Sequence, residues 1–320
     1  MRLREGLRVV RRSASEVQVG TDPRWAVRVT DLTPDEVGAL LAADDGHRRV
    51  LPTATARLRA VAGQLAAAQL ATARDERRST GTAAPDATAW DLHDGDGPAR
   101  VAARRARRVG VLGLGPTGTT TAVSLAAAGV GTVLVDDARP VRSVDVGACG
   151  FRWADVGRER EAVVARLLRD TAPDVAIDAA GDPDLLVVVE HGATDPVRAA
   201  MLLAADVPHL SVVVREADVV VGPLVVGGEG PCLLCLDLHR TEVDPAWPLV
   251  ADGLARPAWD GQEVAVLAGV AGGMAAAAAL AYLDRDVRLA ASYEIGLADA
   301  VPRRRDWAVH PSCGCTAPSV

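Results

Sequence analysis

The 320-residue sequence contains no lysine, so all 35 of its basic residues are arginine. A Walker-type phosphate loop is thereby excluded, because that motif closes a lysine over the terminal phosphates. A net positive charge is missing as well. With 42 acidic residues the formal charge is −7 and the pI near 5.4, which leaves no global field to attract DNA, RNA or an anionic membrane. The basic run RRARR at 104–108 is a weak sign of nucleic acid in a chain whose arginine and alanine content points to coding bias. The first residues, MRLREGLRVVRRSASE, carry charges where a secretory apolar core would sit, so the cytoplasm is the expected location. No repeat of solenoid period is present. One uncharged run, Val264 to Leu283, is long enough to cross a bilayer. It is mostly Ala and Gly, hence weakly apolar, and a buried core helix is expected instead.

This length accommodates two unequal domains, each with a core of its own. Near the amino terminus VQVG and RWAVRVT alternate, which places Trp25, Val27 and Val29 on one face of a strand pair. In TPDEVGALL, Thr33 and Glu36 form a capping box, with Pro34 at the first helical position ahead of Val37, Leu40 and Leu41. A second helix follows, with Leu58, Val61 and Leu65 on one face. Residues 1–78 therefore read as a small α+β module whose topology suits a winged helix. Residues 79–102 lack an apolar period and are rich in Gly, Pro, Thr and Asp, the signature of a linker. Over 103–320 valine-rich runs (VGVLG, GTVLVDD, DVAIDAAG, LLVVVE) alternate with helical segments, one from about Arg158 to Arg169. The fold class expected is α/β, with a doubly wound, mostly parallel Rossmann-like sheet.

Gly113, Gly115 and Gly118 form GLGPTG between a strand and a helix, the context a dinucleotide-type phosphate loop requires. The next strand ends in Asp136 and Asp137, where a carboxylate reaches a ribose hydroxyl. Loop chemistry alone does not separate NAD from ATP, nor either from a tight turn that binds nothing.

Only five cysteines are present, and four of them are paired as C-x2-C (Cys232, Cys235) and C-x-C (Cys313, Cys315). Four thiolates close a structural zinc site. The spacing also leaves open two disulfides, or His239 or His310 in place of one thiolate. Cys149 stands alone in GACG and reads as small filler rather than as a nucleophile.

Together RVGVLGLGPTGTTTAVSLAAAGVGTVLVDD, DVGRERE, GPCLLC and HPSCGC resemble the ThiF and MoeB superfamily, relatives of the ubiquitin-activating enzymes, over about residues 104–320. The resemblance implies Mg-ATP as cofactor, adenylation of a carboxyl terminus, a homodimer, and structural zinc on Cys232, Cys235, Cys313 and Cys315. It puts the phosphates on Gly113, Gly115 and Gly118, the ribose on Asp136 or Asp137, and Arg160 where the family has a phosphate-binding lysine. The chain departs from the pattern at several points. SVDVGACGFRW replaces the N-x-x-R-Q stretch, leaving Arg142 or Arg152 as the substitute cation. Ala138 or Arg139 takes the second acid of D-x-D. Ala193 falls at the metal-binding aspartate, with Asp195 nearby. No catalytic residue is assigned.

A depleted adenylation fold behind a small amino-terminal module resembles the ThiF-type leader-peptide-binding proteins of azole-forming ribosomal peptide (bacteriocin) pathways. Such a protein presents precursor peptide to a YcaO-type cyclodehydratase, and no nucleic acid or membrane is implied. Residues 17–30 would offer a strand edge to the leader, with Val37 to Leu41 beside it. The alternatives are an active adenylyltransferase working on a peptide or sulfur-carrier carboxyl terminus and a nicotinamide oxidoreductase, which would leave the cysteines unexplained.

Overall fold

Residues 1–45, 49–73, 81–178, 181–255, 261–298 and 301–316 are described by a computed structural model. Within it chain contacts separate Met1–Val101 from Ala102–Val320. The expected boundary at residue 78 lies outside the described residues.

In the first unit β1 (Arg2–Leu3) leads to β2 (Val9–Arg11), β3 (Val17–Val19) and β4 (Val27–Val29), which form an antiparallel sheet in that order. Alternation sends Val17, Val19 and Val29 inward, onto Val37 and Leu40 of α1 (Pro34–Asp45). The capping box forms: the Thr33 N–H donates to Glu36 Oε2 at 2.9 Å, and the Glu36 N–H to Thr33 Oγ1 at 3.3 Å. Glu36 Oε1 also accepts the Thr55 hydroxyl, the residue that caps α2 (Ala56–Ala67), so one carboxylate joins two helix starts. α2 buries Leu58, Val61 and Leu65, and β5 (Ala71–Thr72) returns to pair with β1.

Two expectations change here. Residues 79–102 are not a structureless linker, since α3 (Ala84–Asp94) and α4 (Gly97–Arg104) occupy them. Pro85 at the start of α3 and Gly95 in the left-handed region at its end supply both stops. The strand edge also moves. β3 is paired on both sides, so within 17–30 only β4 is an edge, and Val37 and Leu40 are core rather than surface.

The second unit holds β6 (Arg108–Leu112), α5 (Pro116–Ala127), β7 (Thr132–Asp136), α6 (Arg160–Thr171), β8 (Leu185–His191), α7 (Pro196–Ala204), β9 (His209–Val214) and β10 (Asp218–Val225). These are followed by α8 (Leu233–Val243), α9 (Trp247–Leu254), α10 (Ala265–Arg285), β11 (Ala291–Gly296) and β12 (Arg303–Asp306). The strands form one sheet in the order β12-β11-β10-β9-β8-β6-β7, parallel from β7 to β9 and antiparallel beyond. Four of the seven strands are thus parallel. The expected strand DVAIDAAG contributes only a bridge from Ala176 to Thr132, and its Ala179 and Ala180 lie outside the described residues.

Along β8, Val187 and Val189 enter the core formed with α5, α6 and α10, while Val188 and Glu190 face a cleft lined from α7. Helices therefore cover both faces, as buried parallel strands require. α10 is the one described helix long and apolar enough to cross a membrane, with mean hydropathy 1.9. Here it lies on α5, where a Cβ on Gly272 would come within 2.7 Å of Thr117 O. Arg104 and Asp284 form a buried ion pair, 2.6 Å from Nη2 to Oδ2, with both side chains 2% exposed. Arg107 and Arg108 meet Asp184, so with Arg104 three of the run's four arginines are engaged within the fold.

Candidate functional site

The chain leaves β6, turns through GLGPTG and enters α5, with β7 on one side of β6 and β8 on the other. A crevice beyond the carboxyl ends of the strands at such a reversal is where open α/β sheets bind ligands. Each glycine of the loop has a spatial reason. Gly113 lies at φ +83°, and a Cβ there would strike Val189 O at 2.3 Å. A Cβ on Gly118 would strike Gly113 O at 1.9 Å.

A Cβ on Gly115 would meet Glu263 Oε1, also at 1.9 Å. Glu263 lies just before α10. Its Oε2 accepts the Thr117 backbone N–H at 2.7 Å and the Thr117 hydroxyl at 2.6 Å, and His191 Nε2 lies 3.2 Å from Oε1. The carboxylate is 1% exposed. Neither Glu263 nor His191 was singled out by sequence. Thr117 and Glu263 are 146 residues apart, and the only local signal is one acid immediately before an apolar run.

The two aspartates after β7 diverge. Asp136 is exposed and makes no hydrogen bond through its side chain among the described residues. Asp137 is buried and accepts the Leu114 N–H at 2.8 Å, Arg139 Nε at 2.7 Å and Arg160 Nη1 at 3.0 Å. Burial pushes its carboxyl up, but Arg139, the Leu114 N–H and Arg160 outweigh it and hold the pKa at about 2. Arg160, which the resemblance puts at the phosphates, is 1% exposed and bridges Asp137 to Asp145, which it meets at 2.6 Å.

The other candidate cations and acids are placed as follows. Arg142 donates to Asp145 at 2.9 Å and to Gly261 O at 3.0 Å. Arg139 pairs with Asp137. Arg152 is exposed at the start of a turn, its N–H donating to Asp155. Asp195, near the expected metal position, caps α7 by accepting from Val197 and Arg198 N–H, and its own N–H donates to Glu190 at 3.1 Å. Ala193 is buried, and Ala138 is exposed beside Asp137. Cys149 lines the cleft next to Glu263 and directs its thiol at Asp145 O, 3.5 Å away. Burial, its largest influence, raises the thiol pKa, contrary to what an activated nucleophile requires. As arranged, these residues do not fit Mg-ATP: the cradle holds the Glu263 carboxylate, and Arg160 is buried between Asp137 and Asp145.

The cysteines do fit a metal. Cys232 caps α8, Cys235 lies in its first turn, and the carboxyl-terminal turn brings Cys313 and Cys315 to them. Sγ–Sγ distances are 3.9 Å (232 to 235), 3.6 Å (232 to 313) and 3.5 Å (235 to 315). A tetrahedron with Zn–S near 2.3 Å has edges of about 3.8 Å. All four sulfurs lie within 4.8 Å of one another, which is one cluster rather than two bonded pairs. Burial and then neighbouring sulfurs raise the Cys315 thiol to about 11; at Cys235 burial is outweighed by N–H groups of His310 and Cys232, which hold the thiol low. A divalent cation is what such a crowded thiolate set neutralises.

His239 and His310 stand behind the cluster and do not replace a sulfur. His310 Nδ1 accepts the Ser312 N–H, so its Nε2 carries the proton and donates to Glu242 at 3.0 Å. His239 Nε2 donates to Ala308 O.

Residues 94–294 match the ThiF family. The chain belongs to the ThiF family. No curated protein matches it significantly. Solved structures similar to this ThiF protein include E. coli MccB with ATP, 15% identical with TM-score 0.70 over 98% of this chain and 99% of that one. E. coli MccB with MccA is 14% identical, TM-score 0.71, over 98% of each. PaaA is 15% identical, TM-score 0.68, over 96% of this chain and all of that one. At these identities the likeness is one of fold, and it extends over the amino-terminal unit as well as the ThiF region.

Proposed function

We propose that this ThiF protein is a nucleotide-independent peptide-binding scaffold of ribosomal peptide biosynthesis. Its amino-terminal unit captures the leader of a precursor peptide and the chain presents that precursor to a separate YcaO-type cyclodehydratase. One observation carries the reading: Arg160, the residue standing for the family's phosphate cation, is buried and held in ion pairs between Asp137 and Asp145. Adenylyl transfer depends on cations arranged around developing phosphate charge. Arg139 and Arg142 are likewise hydrogen-bonded to those two aspartates.

Context supports the peptide. A structure of the microcin C7 biosynthetic enzyme MccB is a complex with N-formylated MccA, and that fold covers 98% of this chain. β4 (Val27–Val29) supplies an edge strand to which an extended peptide adds. The four-cysteine cluster is a structural zinc site with no position left for substrate. Cytoplasmic location and a homodimer complete the proposal.

A second reading, an ATP-dependent adenylyltransferase acting on a peptide or sulfur-carrier carboxyl terminus, is favoured by the ATP in the MccB structure of the same fold. The deciding experiment combines the chain, Mg-ATP and its precursor peptide, with and without the YcaO-type partner. The scaffold reading expects peptide binding, no pyrophosphate release by the chain alone, and cyclodehydration only with the partner. Pyrophosphate released by the chain and peptide alone establishes the adenylyltransferase instead.

A further inference from the structure

The nucleotide fingerprint reserves its second glycine so that pyrophosphate can approach the backbone at the helix start. In this chain that spot is Gly115, and the atom nearest its missing side chain is Glu263 Oε1. The first free N–H of the helix and its neighbouring hydroxyl, both from Thr117, donate to the other oxygen of the same carboxylate. A helix N-terminus favours an anion through its exposed N–H groups and its dipole. Here the anion is part of the protein.

Glu263 is held there from several directions. Arg142 donates to Gly261 O at 3.0 Å, tying the segment just before Glu263 to the turn that follows β7. His191, from the end of β8, faces Oε1. Glu263 is followed by α10, whose Leu267, Ala268 and Ala271 are buried.

We infer that Glu263 is the specificity-determining residue of this glycine loop, an intramolecular stand-in for phosphate that excludes nucleotide. The inference deepens the scaffold reading of the same site. A phosphate entering the cradle meets a carboxylate already bonded to the donors it needs, and like charges at that distance repel strongly. The chain thus retains the ThiF fold and its helix start while the cradle serves to fasten the beginning of α10 to α5.

The test is calorimetric titration of the full-length, zinc-loaded chain with Mg-ATP and, separately, with inorganic pyrophosphate. Wild type is expected to bind neither in the millimolar range. Glu263→Ala, which empties the cradle, is expected to gain affinity for both by about tenfold or more. Glu263→Gln keeps the volume and one acceptor and loses the charge, so it gains less; it also keeps the test valid if the alanine variant unfolds, as followed by thermal melting. Equal binding by wild type and variants overturns the inference, and so does continued absence of binding when Glu263 is removed from a folded chain. Wild type that binds ATP without releasing pyrophosphate defeats only this inference. Wild type that binds ATP and releases pyrophosphate with peptide defeats the scaffold reading too.

Discussion

Asp137 shows how one side chain fixes the loop. It joins the Leu114 N–H, Arg139 and Arg160, and these partners depress its pKa from 3.8 to about 2 against the upward push of burial. The folded state therefore binds this proton more weakly than the unfolded chain. Its stabilisation is complete above the unfolded value and disappears as pH falls through the folded one. A shift of this size corresponds to about 2 kcal/mol. Urea unfolding between neutral pH and pH about 2 should show an acid limb that is shallower in Asp137→Asn. The same variant loses stability at neutral pH, since Arg160 keeps only Asp145. An unchanged acid limb would mean that the interaction also exists in the unfolded chain.

The Arg104–Asp284 pair is a second residue-scale case. Both side chains are 2% exposed, and Arg104 Nη1 also donates to Ala128 O at 2.8 Å. Arg104→Ala leaves Asp284 charged and buried, at a cost of about 3–5 kcal/mol. Replacing both partners with apolar residues of similar volume should recover much of that loss, and denaturant melts of the single and double variants compare the two directly.

Among the elements, α8 and the carboxyl-terminal turn are joined by the four cysteines and by the His310–Glu242 and His239–Ala308 hydrogen bonds. Cys232 and Cys313 are 81 residues apart. Structural zinc contributes about 10–16 kcal/mol of apparent binding free energy, comparable to or above the whole stability of a domain. Cys313→Ser should therefore unfold or aggregate the larger unit, with less than one zinc per chain by metal analysis. Full stability of a wild-type protein that contains no zinc would refute the assignment. At the α5–α10 contact, Gly272→Val should cost about 1–3 kcal/mol, because the new methyl groups meet Thr117 O and Thr120.

How far these elements were legible depended on how local their signals are. β6, β7 and β8 announced themselves as valine runs, and the cysteine pairs through spacing alone. The helices between 84 and 104 did not, because they are short and bury little beyond Ala87 and Val101, so no apolar period appears in text rich in Gly, Pro and Asp. Arg160 was legible as a charge, but sequence does not tell an exposed guanidinium from one buried between two aspartates. Glu263 escaped for a different reason: its partners Thr117 and His191 come from α5 and β8, and only the sheet topology brings three such distant residues together.

At the scale of the molecule, Met1–Val101 and Ala102–Val320 each possess their own core, one built on Val17, Val19, Leu40 and Leu65, the other on Val109, Val111, Leu125 and Leu210. All five cysteines belong to the second unit. Separate cores predict separate cooperative transitions, because each unit loses its own buried surface. On the proposed reading, zinc held by the four cysteines would bind only folded Ala102–Val320, so by mass action it would stabilise that transition alone. Leader peptide bound by the first unit, as proposed, would do the converse, adding about 2.7 kcal/mol at a hundredfold excess over Kd. Differential scanning calorimetry of the full chain should then resolve two transitions, with chelation lowering one and peptide raising the other. A single transition moved by both treatments would mean that the two cores unfold as one, and that the peptide site depends on the zinc-bearing unit.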